Sequence, residues 1–385
     1  GMVVAAPSMV PTAAAAGALY VSAENAQFDN LFGGPMVVEV IVKDPNRSMT
    51  NENAGEPTVM VDNQQLRMAQ GLDGNWYGYF ADSTDVADVA NDGSQLEFGT
   101  ADDPDVGGIL GHASLATFDD TTYRSQLALG GTAGANAADF AGVIDNAPEL
   151  SNWNGTNASS CTSCGQIGIN STNWPFLQTY DFTQEDFDVI LEQAGTNEVV
   201  TLDHNNGDLD DYSSLTLDRS SATQGAEVML FIVDQQLNID PTDEDVVIFK
   251  VANDGVASTS SVSWTNGTIN GDLVDGDNTS AYVAAGTGHG FSDNGKLLIN
   301  NDTASSGTNT LEKIATNDDT VTATTSGFTY LVFFEDADNT GTFSNVDDSD
   351  QANLQVTADA KRGTTATFDY NDSAQSFIVA NDFGT

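Results

Sequence analysis

Three loops of this 385-residue chain gather oxygen-bearing side chains at the spacing of metal ligands. The first reads Asp234-Gln-Gln-Leu-Asn238-Ile-Asp240-Pro-Thr-Asp243-Glu-Asp245. Asp234, Asn238, Asp240 and Asp243 could converge on one ion where this loop leaves a strand. Calcium takes six to eight oxygens at about 2.3–2.6 Å, from carboxylates, amide carbonyls and backbone. The second loop places Asp336, Asp338 and Thr340 at alternate positions, then Gly341, with Asp347 eleven residues after Asp336. That spacing echoes an EF-hand loop, with Asp in place of the bidentate Glu and without flanking helices. The third offers Asp203, Asn205, Asp208 and Asp210. Against all three stands the plainer reading that Asp/Asn/Gly segments are solvated turns. Loops of such dense like charge order poorly without a counterion, so divalent cations, calcium foremost, are the expected cofactors.

Motifs for catalysis do not accompany these loops. His112, His204 and His289 stand in unrelated contexts, and no G-x-S-x-G elbow, H-E-x-x-H or phosphate-cradling loop occurs. The chain therefore reads as a non-enzyme. Cys161 and Cys164 form a C-x-x-C. Structural zinc would need further ligands, and a redox pair would need a βαβ setting. The favoured reading is a local disulfide pinning an extracellular loop. N-x-S/T sequons begin at Asn46, Asn154, Asn157, Asn170, Asn266, Asn278, Asn301 and Asn371. With the cysteine pair and the acid excess they favour an exported glycoprotein at the cell surface.

That excess is large: 57 Asp plus Glu against 10 Lys plus Arg, for a formal charge of −47. Nucleic acid is excluded as a partner, since phosphate binding needs basic stripes. Self-repulsion must be offset by bound cations or salt. Screening acts beyond about 8 Å at physiological salt, so clustered carboxylates still feel one another. No segment is long and apolar enough for a transmembrane helix. Residues 1–21 are apolar and contain no Lys or Arg, unlike a signal peptide. They read as an extended arm, covering 1–26, that either folds back on its own module or adds a strand to a neighbouring copy.

The elements that must hold these loops are strands. Residues 36–43 are β-branched and apolar, and short strands are expected at 58–61, 65–69, 76–81, 198–202 and 214–217. Residues 186–193 suit a strand or a short helix. A second series is expected at 227–233, 246–251, 262–264, 282–284, 296–299, 329–334, 354–357, 366–370 and 377–380. Turn clusters separate these runs, which is the pattern of a sandwich. The expected class is thus all-β, with tandem Ig-like antiparallel β-sandwich domains. The first spans 27–219 with a long irregular insertion at about 82–175, and the second spans 220–385. Trp76, Trp153, Trp174 and Trp264 are read as core or interface anchors.

Several longer stretches carry a resemblance. They are Gly34-Pro-Met-Val-Val-Glu-Val-Ile-Val42 with Asp73-Gly-Asn-Trp-Tyr-Gly-Tyr-Phe-Ala-Asp82, and Leu217-Asp-Arg219 leading to Val233 through Asp245. A further one is Asn339-Thr-Gly-Thr-Phe-Ser344 through Asp350, followed by Lys361-Arg-Gly-Thr-Thr-Ala-Thr-Phe-Asp-Tyr370. In this order the chain resembles the surface-layer (S-layer) proteins of ammonia-oxidising archaea over roughly residues 23–375. The resemblance implies a secreted glycoprotein of tandem Ig-like domains that tiles the cell surface in a two-dimensional lattice. It also implies cation binding and a porous anionic layer that favours ammonium reaching the membrane. The expected partners are therefore copies of itself and cations. The alternatives are a filament subunit joined by its N-terminal arm and a calcium-dependent adhesin.

Overall fold

Trp76-Tyr-Gly-Tyr-Phe-Ala-Asp82 shows how the strands arise. Trp76, Gly78 and Phe80 share one face of the pleat and Tyr77 and Tyr79 the other, and Trp76, Tyr79 and Phe80 are fully buried. Gly78 is required there, because a Cβ would sit 3.0 Å from Leu66 Cδ2 and 3.1 Å from the Arg67 carbonyl oxygen. The computed structural model describes residues 17–34, 36–83, 85, 113–115, 126–129, 148–151, 153, 166, 177–182, 186–242, 244–252, 261–269, 297–301, 310–314, 328–347, 349–370 and 373–380. These are predominantly β-sheet with almost no helix. Residues 186–193, open to either state from sequence, form the strand Asp186–Glu192.

In the first module the strands are β1 (Leu19–Val21), β2 (Leu31–Phe32), β3 (Val38–Val42), β4 (Thr58–Val61), β5 (Gln64–Leu66), β6 (Ala69–Gln70), β7 (Trp76–Asp82), β8 (Ala113–Leu115), β9 (Gln126–Leu129), β10 (Leu177–Tyr180), β11 (Asp186–Glu192) and β12 (Glu198–His204). One sheet has the order β1-β3-β7-β10-β9-β8, with β6 also on β7, and the other β2-β12-β11-β4-β5. The chain leaves β7 at Asp82 and returns as β10, parallel to β7, with Leu177 opposite Tyr79. The insertion between them contributes β8 and β9 to the same sheet. Part of the N-terminal arm also belongs here. Leu19, Tyr20 and Val21 pair with Val42, Ile41 and Val40 of the same chain, and the N–H groups of Ala18 and Leu19 donate to the Glu198 carboxylate, each at 3.0 Å. Residues 17–26 are therefore not a free arm, because an apolar strand at a sheet edge satisfies its backbone by pairing. Residues 1–16 lie outside the described residues, as do Cys161, Cys164, His112 and His289.

The second module is one curled ten-stranded sheet with a small two-stranded companion. Its strands are β13 (Ser214–Leu217), β14 (Ser221–Ala222), β15 (Leu230–Val233), β16 (Val246–Ala252), β17 (Ser261–Ile269), β18 (Leu297–Asn301), β19 (Leu311–Lys313), β20 (Phe328–Glu335), β21 (Thr342–Ser344), β22 (Leu354–Val356), β23 (Thr365–Tyr370) and β24 (Gln375–Val379). The order β13-β15-β21-β20-β16-β17-β18-β23-β24-β14 brings its ends together, with the Leu215 N–H on Ser373 Oγ at 3.2 Å. Ser214–Leu217 was expected to close the first module. It pairs instead with Leu230–Val233, so this strand belongs to the sheet of the second module. The apolar residues of β13 and β15 face the same interior, which pattern alone could not assign to a module.

The two modules share one connected set of buried apolar side chains. In the first, six rings meet between the sheets: Phe32, Phe80, Tyr180, Phe182, Phe187 and His204. Phe80 is fully buried and touches four of these rings edge-on or tilted. Phe80→Ala should therefore cost about 3–5 kcal/mol of unfolding free energy. Urea denaturation followed by intrinsic fluorescence measures it, and a loss below about 1 kcal/mol would contradict this packing.

Candidate cation-binding sites

The acidic loops are built first of all as turns. Asp or Asn side chains accept the N–H two residues ahead at Asn25, Asp44, Asn53, Asp73, Asn205, Asp234, Asp240 and Asp347. Short acid and amide side chains reach this geometry without strain, which is why they populate turns.

In the first predicted loop, Asp234 Oδ1 accepts the Gln236 N–H at 2.9 Å and Oδ2 accepts the Tyr370 hydroxyl. Asp240 Oδ1 takes both the N–H and the hydroxyl of Thr242, at 3.0 and 2.6 Å. Asp243 lies outside the described residues. The Asn238 amide donates to Asn339 Oδ1 at 2.8 Å, while Asn238 Oδ1 and Gln235 Oε1 are buried without a hydrogen-bond donor. Amide oxygens are among the ligand types that calcium accepts.

The second loop is not one twelve-residue ligand frame. Strand β21 interrupts it at Thr342–Ser344 and places Asp347 beyond the hairpin. There Asp347 accepts the Ser349 and Gln351 N–H groups at 2.9 and 2.8 Å. Asp336 and Asp338 are exposed at the hairpin tip. Thr340 turns its N–H and hydroxyl onto Glu335 Oε1, at 2.6 and 3.1 Å. Glu335 was not anticipated. It is buried at the end of β20 and also accepts the N–H groups of Gly341 and Asp245. Burial raises its pKa, and these donors pull against the rise. In the third loop, Asn205 caps the helix Asn206–Leu209, Asp203 stands opposite Asp186, Asp208 is exposed, and Asp210 begins the following turn.

Among the described residues, three His or carboxylate ligand atoms come together elsewhere. One atom each from Asp82, Asp85 and His204 lie within 4.8 Å of one another. Asp82 ends β7 in one sheet, Asp85 follows three residues later, and His204 ends β12 in the other sheet. Asp82 Oδ1 accepts the Asp85 N–H at 3.0 Å and Oδ2 accepts the Phe182 N–H at 3.2 Å. His204 Nε2 lies 3.3 Å from Asp85 Oδ2. The imidazole packs on Phe32 and Phe182, with ring centroids 5.0 and 5.6 Å away. From sequence, Asp203 and Asn205 read as metal ligands, whereas His204 between them reads as a structural histidine. The D-x-x-D ending β7 was a signal that reading did not use.

A junction joins the modules beside these loops. The Val37 N–H donates to the Ile239 carbonyl at 3.0 Å, and the Asn339 amide to the Ser22 carbonyl at 3.1 Å. Asn339 reaches this position with φ +55°, in a turn where Asn is tolerated. Glu39 of β3 is buried there under the Tyr79 hydroxyl. Burial pushes its carboxyl up to about 7, against the opposing pull of Tyr79, with Asp240 and Asp338 adding to the rise and Lys43 resisting it. No protein-family model and no curated protein sequence matches this chain.

The raised Glu39 pKa has a definite sign in stability. Between about 4.5 and 7 the folded chain holds a proton that the unfolded chain has released, so stability falls as pH rises through that window. Above pH 7 the full cost of the buried charge is present. Glu39→Gln should therefore melt at a higher temperature than the parent at pH 8, with the difference shrinking by pH 4.5. Calorimetric melts across that range test it, and a difference that does not change with pH would reject the assignment.

Proposed function

We propose that the chain is a structural subunit of a self-assembling, highly acidic, cation-binding surface layer. In this reading its two β modules are tandem Ig-like units of an extracellular glycoprotein lattice. The lattice forms a porous envelope that concentrates cations such as ammonium. One observation carries the proposal: the acid excess is built into the turns. Asp side chains fold the connections between strands, and 10 Lys plus Arg face 57 acids. Copies bearing −47 repel unless cations stand between them. Divalent ions shared by carboxylates of neighbouring copies turn that repulsion into cohesion, and the same fixed charge enriches small cations in the pores.

Further features agree with this reading. Asn46, a sequon residue, lies exposed in the turn after β3, where a glycan could be carried. The pairing of Leu19–Val21 within its own sheet does not favour donor-strand exchange by that segment.

Purified chain in millimolar calcium at moderate salt should form periodic arrays visible by negative-stain microscopy. EDTA should return light scattering to that of small particles, and magnesium should restore assembly less well than calcium. Particles of unchanged size with calcium and with EDTA would overturn the proposal.

A further inference from the structure

We propose that Asp82, Asp85 and His204 bind one divalent transition-metal ion of the zinc class, clamping the two sheets of the first module. This site is distinct from the calcium-type loops and does not depend on lattice formation.

The geometry is that of a partial coordination shell. Zinc binds imidazole nitrogen and carboxylate oxygen at about 2.0–2.2 Å, so neighbouring ligands of a tetrahedral ion stand about 3.3–3.6 Å apart. The His204 Nε2 to Asp85 Oδ2 separation of 3.3 Å matches that edge. The set fits within 4.8 Å, and both side chains of the pair are nearly buried, at 11% and 12% exposure. The supporting contacts are also those of a metal site. Backbone N–H groups of Asp85 and Phe182 fix the Asp82 carboxylate, whose oxygens retain lone pairs for an ion. Phe32 and Phe182 hold the plane of the imidazole. Such outer contacts orient ligands and tune the metal.

Charge points the same way. Two carboxylates beside one imidazolium leave a net −1 among phenylalanine rings, and beside a neutral imidazole −2. A cation beside two such closely placed carboxylates is electrostatically favoured. Two carboxylates, a neutral imidazole and a divalent ion sum to zero. Ligand type selects the metal: calcium and magnesium take oxygen, whereas imidazole suits zinc and its neighbours. Three protein ligands leave one position of a tetrahedral ion for water or another donor.

The test uses full-length chain stripped of metal, in 0.5 M sodium chloride with excess calcium to occupy surface carboxylates. Cobalt(II) is the probe because its visible bands report coordination directly. Saturation at one cobalt per chain, with bands displaced by zinc but not calcium, is the expected result. His204→Gln and Asp85→Asn should each weaken cobalt binding about tenfold or more, while far-UV circular dichroism stays unchanged. A variant that fails to fold leaves the parent titration decisive. Absence of a saturable one-to-one cobalt spectrum in the parent would overturn the proposal. Equal cobalt affinity in the parent and both folded variants would overturn it too. Loss of array formation without loss of the cobalt signal would count against the lattice reading alone.

Discussion

Holding carboxylates in place with almost no cationic side chains is the constraint on which this structure turns. Among the described residues, eight acids are buried: Glu39, Asp82, Asp85, Asp234, Asp240, Asp245, Glu335 and Asp347. Ten Lys and Arg residues serve the whole chain, and the Arg–acid pairs of the described residues lie in Arg47–Asp44, Arg67–Glu56 and Arg219–Asp218. The carboxylates are held mainly by main-chain N–H groups and hydroxyls. Hydrogen bonds to a charged acceptor are stronger than neutral ones, at about 1.5–3 kcal/mol each. Such donors cost no extra charge and sit wherever the chain turns. A strand-rich fold suits this chemistry because every strand end is a turn.

The same device creates the two places where chemistry concentrates. At the module junction, Glu335 draws Thr340, Gly341 and Asp245 onto one carboxyl and so shapes the hairpin tip. Gly341 is needed there: at φ +61°, a Cβ would come within 2.4 Å of Gln235 Oε1 and 3.3 Å of its Cα. That tip carries Asn339 into contact with Asn238 and Ser22, coupling the second module to the first. Between the sheets of the first module, by contrast, the N–H groups hold Asp82 against an aromatic wall. The strand ends deliver Asp85 and His204 to the same point. One site is held by backbone N–H groups and the Thr340 hydroxyl, and the other gathers two carboxylates and an imidazole.

Much of this was legible in the residues. Strands such as Val38–Val42, Thr58–Val61 and Thr365–Tyr370 follow from β-branched and aromatic alternation, which has one answer whenever one face is buried. The acid excess and the loop composition were likewise visible before any fold. Asp234, Asp240, Asn205 and Asp347, singled out from sequence as metal ligands, each accept a main-chain N–H of their own loop.

Sequence by itself determined the β class, the places of many strands and the acidic charge, because these depend on local periodicity and on summed charge. Tertiary structure decided the rest. It assigned Ser214–Leu217 to the second sheet and joined Leu19–Val21 to its own module, since pairing partners distant in the chain leave no local trace. It also brought Asp82 and Asp85 to His204, more than a hundred residues away in sequence, because two sheets packed face to face place the ends of β7 and β12 side by side. Proximity of that kind is a property of packing, and no spacing rule along the chain encodes it.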